Sequence, residues 1–166
     1  MQRPAVLPVV LLLALAAPAA LSAELGCIGG YNFRQGGGEI DTTHYRFRNF
    51  NDHRTLTVTG ITIYAFDGTA LFNFSAGSFP AGFDPVLGPH HSRGLNLEAV
   101  FGNTEAPGDG FVQTVVSWEA DRGRGGATPL YVTGARITRA RNVANGNQGE
   151  TRARSIVACR EIRSER

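Results

Sequence analysis

The sequence predicts an all-β protein, an antiparallel β-sandwich of immunoglobulin-like architecture with about six to eight short strands joined by Gly/Pro-rich loops. Three observations carry this. Apolar and polar residues alternate with a period of two in several separate segments, as half-buried strands require. Between those segments lie clusters of Gly, Pro, Asn and Asp, and 21 glycines and 8 prolines are present in 166 residues. No segment keeps a helical period over any useful length.

Residues 1–23 are set apart before the elements are read. Met1-Gln2-Arg3 supplies a positive charge, Val6 to Leu21 is apolar, and small residues gather at Ala19, Ala20, Ser22 and Ala23. This is the pattern of a secretory signal peptide. Pro8 and Pro18 interrupt the apolar stretch, which is short of the ~20 residues of a bilayer span. Export and removal are therefore expected, leaving one domain over residues 24–166, secreted or periplasmic, with no transmembrane span. Cys27 and Cys159 lie near the two ends of that domain. In an oxidising compartment they are expected to pair. Lipidation of Cys27 is the competing use, and Glu24 three residues before it disfavours that chemistry.

The first strand is read over Thr43–Phe50, where Tyr45 and Phe47 alternate with His44, Arg46 and Arg48. Leu56 and Val58 share one phase and Ile61 and Ile63 the other, so a bulge is placed at Gly60. Asp67-Gly68 marks a tight hairpin turn into Ala70–Phe74. A long loop follows from Ser75 to about Arg93. Leu95, Leu97, Ala99 and Phe101 then read as one face of a strand, and Asn103–Gly110 as a turn cluster. Phe111–Ala120 is the strongest strand, with Val112, Val116 and Trp118 on one face. Leu130–Ala140 follows the Arg122–Gly126 loop, with a second bulge suggested by Gly134, and Arg152–Ile162 is the last strand, beyond a loop at Asn142–Gly149.

Phe47-Arg48-Asn49, Leu56 to Tyr64, Asp67-Gly68, Leu87-Gly88-Pro89 with Ser92, and Val116 to Ala120 occur in this order. Over Tyr45 to Ala140 the chain resembles an uncharacterised family of small exported bacterial β-sandwich proteins. That resemblance implies the fold and export, and no chemistry. The adjacent His90-His91 and the cysteine pair depart from the pattern.

The composition excludes one class of chemistry. All 16 basic residues are arginine, so lysine Schiff-base and lysine general-base mechanisms are ruled out. His90 and His91 are candidate loop contacts. With His44 or His53 they could enter a metal site, but no His/Cys spacing matches a structural zinc motif, and neither metal nor cofactor is expected. Both would titrate near neutrality, which suits a pH-sensitive contact. Ser78 and Ser92 lack the Gly-x-Ser-x-Gly turn of an exposed nucleophile. Trp118 with Glu119 suggests a sugar-stacking pair, but the phase of Trp118 assigns it to the core.

Charge is the remaining signal. The formal net charge is +2, yet ten of the arginines lie at or beyond Arg122, against Glu150, Glu161 and Glu165. If the last strands are neighbours, Arg136 or Arg139 aligns with Arg152 and Arg154 in a basic strip. Such a strip would attract an envelope protein with an acidic face, lipid headgroups or an acidic polysaccharide. Solvated strand faces guarding sheet edges are the plainer reading, and nucleic acid is an unexpected target for an exported chain. A non-enzymatic binding module of the cell envelope or periplasm is the function expected. The alternative is a carbohydrate-active or other hydrolase domain with a loop-built site.

Overall fold

The computed structural model describes residues 23–33, 39–102, 104, 106–121, 129–141, 148–157 and 159–162, with side chains for all except 140–141 and 148–153. The signal-type segment before Ala23, the Arg122–Gly126 loop and most of the loop from Asn142 lie outside them. Ten strands and one short helix occur among the described residues. They are β1 (Ala23–Phe33), β2 (Glu39–Arg48), β3 (Leu56–Ala65), β4 (Ala70–Ser75), β5 (Val86–Leu87), β6 (Ser92–Asn96), α1 (Leu97–Phe101), β7 (Phe111–Ala120), β8 (Tyr131–Arg141), β9 (Gln148–Val157) and β10 (Cys159–Ile162). Every strand pairing is antiparallel.

Two ladders share β1. Its first part pairs with β7 on one side and β10 on the other, and β7 continues to β3 and then β4 and β5. From Tyr31 onward β1 pairs instead with β2, which continues to β8 and β9 and carries β6 on its other edge. The handover occurs at Gly29-Gly30. A Cβ on Gly29 would lie 2.1 Å from the Tyr45 hydroxyl, so the absence of a side chain there lets β2's largest buried residue pass beneath β1. The Thr43 hydroxyl accepts from the Gly30 N–H at 2.8 Å and donates to its carbonyl at 3.0 Å, fixing the crossing.

The core lies between residues of both ladders. Leu56, Val58, Ile61 and Ile63 of β3 and Val112, Val116 and Trp118 of β7 pack in one cluster with Tyr45 and Phe47 of β2 and Val132 of β8. The register of β3 against β7 slips between Val58 and Gly60. This is the bulge expected from the sequence, and it turns both phases of β3 onto one buried face. Trp118 is 2% exposed, a core residue as its phase required.

Several elements depart from the sequence reading. The segment from Ala23 is a strand that alternation did not reveal. Leu97 to Phe101 form a helix, not the end of a strand. The Asn96 side chain caps it by accepting from the Glu98 N–H at 3.0 Å, and Leu97 and Phe101 are buried from it. Gly134 marks no bulge against β2, where the register is continuous; a Cβ there would stand 2.7 Å from the Val157 side chain. The irregularities of β8 lie instead at Thr138–Arg141, opposite β9. The long loop after Ser75 contains β5, and β6 begins before the loop was expected to end. The turn at Asp67-Gly68 closes as expected, with Gly68 at φ 88° and its N–H donating to the Ala65 carbonyl at 3.0 Å. No described helix is long and apolar enough to cross a membrane.

Candidate functional site

The β6–β2–β8–β9 ladder presents a shallow concavity of about 1090 Å³ on its solvent side. The pleat builds it. With Tyr45 and Phe47 turned into the core, the intervening His44, Arg46 and Arg48 face outward, and Arg46 and Arg48 are exposed. On β8 the matching residues are Thr133, Ala135 and Ile137, and β9 contributes Arg154 and Ile156. Ile156 is 91% exposed. Small residues (Gly94, Ala135, Thr133) keep the floor low between the arginines. No carboxylate is among the described lining residues; their fixed charges are those of Arg46, Arg48 and Arg154, set around a largely neutral floor.

His44 stands on the floor, registered opposite Ala135. Its Nε2 and the Oε2 of Glu98 are buried atoms without a hydrogen-bond partner among the described residues. Burial holds the His44 pKa below its ordinary value, reinforced by the charges of Arg139 and Arg154 and opposed by Glu98. Beyond the Arg48 end, outside the lining, the outward-facing Tyr131, registered opposite Arg48, stacks edge to face with Phe50 at 5.0 Å between ring centroids. Phe50 and Tyr131 are 55% and 50% exposed.

The basic strip expected from the sequence is only partly assembled. Arg154 reaches the concavity, and Arg139 lies on the same face, close enough to act on His44. Arg136 does not belong to it. Its side chain lies on the opposite face, where its Nε donates to Asp41 Oδ2 at 2.8 Å and its second nitrogen binds the same oxygen. The guanidinium also rests 4.7 Å from the centre of the Phe111 ring. That arginine is occupied by a structural ion pair. Arg152 is in β9, but its side chain is outside the described set. Arg46, Arg48 and His44 were missed as members of this surface, although the alternation of β2 gave the signal that they share one face.

His90 and His91 lie in the turn between β5 and β6. His90 adopts φ 59°, and its Nε2 stands 3.1 Å from Asp52 Oδ1. The His91 carbonyl accepts from Asn49 N–H at 3.0 Å. The turn therefore stands at the Arg48 end of the concavity, outside its lining. Buried Asn49 organises this corner, its amide donating to the carbonyls of Arg54, Leu87 and Gly88 at 2.6, 2.9 and 3.1 Å. No group of three or more His, Cys, Asp or Glu side chains among the described residues is arranged to hold a metal ion.

Cys27 and Cys159 form a disulfide, as the sequence led us to expect. They are register partners on β1 and β10, with 4.1 Å between their Cα atoms.

No protein-family model matches the chain, and no curated protein matches it. Among solved structures, that of Thermotoga maritima 1070 is similar at a TM-score of 0.40 and 13% identity, covering 82% of this chain and 92% of the other. A likeness of this degree carries no functional argument.

Proposed function

We propose that this protein is an exported, non-enzymatic β-sandwich, belonging with the small exported bacterial proteins it resembles, that holds an anionic partner in the cell envelope or periplasm. The observation that supports this reading is the concave face of the β6–β2–β8–β9 ladder, lined by Arg46, Arg48 and Arg154 with no carboxylate among its described lining residues. Two arginines elsewhere among the described residues are matched: Arg136 by Asp41 and Arg93 by Asp84. Guanidinium groups grouped without counter-charge raise the local concentration of anions and can grip carboxylate or phosphate bidentately. The disulfide agrees with an oxidising compartment. The packing of Tyr45 and Phe47 from one ladder against Val112 and Val116 from the other supports the sandwich architecture.

The test is binding of soluble polyanions to the purified protein at low and high salt. Arg46→Glu with Arg48→Glu should weaken binding on the order of tenfold or more and flatten its salt dependence, with an unchanged melting temperature because both side chains are exposed. Binding indifferent to salt and to the double reversal would sink the reading.

A further inference from the structure

We propose that the concave cationic face is a binding site for an acidic polysaccharide, with uronate carboxylates on Arg46, Arg48 and Arg154 and a sugar ring on the Phe50–Tyr131 platform. This rests on the anionic-partner reading above and adds the chemical class of the ligand.

From Tyr131 to Ile137 the outward residues of β8 form a track of about 20 Å, at ~3.4 Å per strand residue. The track is concave and floored by Thr133, Ala135 and Gly94, which leaves room for a chain lying along the sheet. A lipid bilayer surface is flat and would meet such a hollow only at its rim. Charge comes next. The arginines stand along the track at Arg46, Arg48 and Arg154, so an occupant needs negative groups at intervals and not one point charge. Planar guanidinium groups match planar carboxylates in two parallel hydrogen bonds.

The aromatic pair then selects among anionic chains. Phe50 and Tyr131 are half exposed at one end of the track, edge to face, which presents ring surface to only a single unit of a bound chain. The apolar C–H face of a pyranose is suited to such a surface, while its hydroxyls can reach the Tyr131 hydroxyl and the Thr133 side chain. Single-stranded nucleic acid also combines charge and stacking, but it uses aromatic platforms for successive bases. Between Tyr131 and Ile137 the aromatic among the described lining residues is Tyr45, which is 2% exposed and offers no ring face. An acidic peptide would gain nothing particular from a ring platform at one end.

The experiment is a titration of the full mature protein with four probes: polygalacturonate, its methyl-esterified form, oligodeoxythymidylate, and phosphatidylserine vesicles. We expect polygalacturonate to bind at least about tenfold more tightly than the ester, which lacks the carboxylate charge. Phe50→Ala and Tyr131→Val should each lower that affinity about fivefold, whereas Tyr131→Phe, which keeps the ring, should retain most of it. Arg46→Glu with Arg48→Glu should abolish it. If the arginine reversals matter but the ring variants do not, the polysaccharide assignment fails and the anionic-partner reading stands. The same holds if oligodeoxythymidylate or the vesicles bind more tightly through those arginines. If no polyanion is held through Arg46 and Arg48, both fail together.

Discussion

Arg136 and Arg154 sit on adjacent strands, and the pleat sends their side chains to opposite faces. Arg136 is opposite Ser155, and Arg154 is opposite Ile137, so a shift of one position separates a structural arginine from a surface one. Arg136 serves Asp41 beneath Phe111, and Arg154 faces the concavity with Arg46 and Arg48. His44 occupies the floor of that same face, and its titration separates folding from binding. Burial, then Arg139, holds its pKa below 6.5 in the folded state, with Arg154 adding to this and Glu98 opposing. The unfolded chain thus takes up the proton more readily. The stability contributed by neutral His44 is complete above about pH 6.5 and is lost as pH falls through the folded value. A bound polyanion has the opposite preference, because it stabilises the imidazolium. Polyanion affinity should therefore rise as pH falls below 6.5 while the melting temperature of the free protein falls. His44→Gln should flatten both slopes relative to the wild type. Melting curves and binding isotherms across pH check this; equal slopes in wild type and variant would exclude His44 from the site.

Elements were legible where alternation was undisturbed. Phe111–Ala120 was bounded correctly because Val112, Val116 and Trp118 keep one phase, and the Gly60 bulge was legible because β3 changes phase there. β1 gave no such signal. Gly26, Gly29 and Gly30 interrupt its apolar residues, and the reason is tertiary: a Cβ would meet the Ile162 side chain at Gly26, Tyr45 and the Thr43 hydroxyl at Gly29, and the Arg136 guanidinium and Gly110 carbonyl at Gly30. Helix α1 was hidden because Leu95, Leu97, Ala99 and Phe101 mimic a strand period. A cap at Asn96 and a Thr42 hydroxyl accepting from the Glu98 N–H at 3.1 Å decide the matter locally. The candidate site was half legible for a related reason. Clustering of arginines along the chain pointed to β8 and β9, but which of them share a face depends on register, and the pairing with β2 that brings in Arg46 and Arg48 is not a local property. The crossing of β1 over β2 gives a direct test. Gly29→Ala should cost about 2 kcal/mol or more, since its Cβ would overlap the Tyr45 oxygen. Tyr45→Phe removes that oxygen and its hydrogen bond from the Thr114 hydroxyl at 3.2 Å. In the Tyr45→Phe background the Gly29→Ala penalty should shrink, a coupling that denaturant titration of the four proteins would read. An additive double mutant would mean the close approach is not what requires glycine.

At the scale of the whole molecule, the chain closes on itself. β1 and β10 come from opposite ends of the described sequence, and the disulfide joins residues 132 positions apart. β10 has only four register pairs with β1, whereas β7 holds the other edge of β1 over eight. The covalent link therefore holds a short terminal strand that backbone bonds alone hold weakly, and it restricts the unfolded chain over nearly its full length. The chain-entropy model puts that restriction at about 5 kcal/mol, which for a domain of this size corresponds to a melting shift of about 15 °C. Cys159→Ser should lower the melting temperature of the oxidised protein by an amount of that order. Reductant should bring the wild type to the same value and leave the variant unmoved. Hydrogen exchange locates the effect: amides of β10, held by four register pairs, should lose protection first, while the β3–β7 ladder, held by nine, retains it.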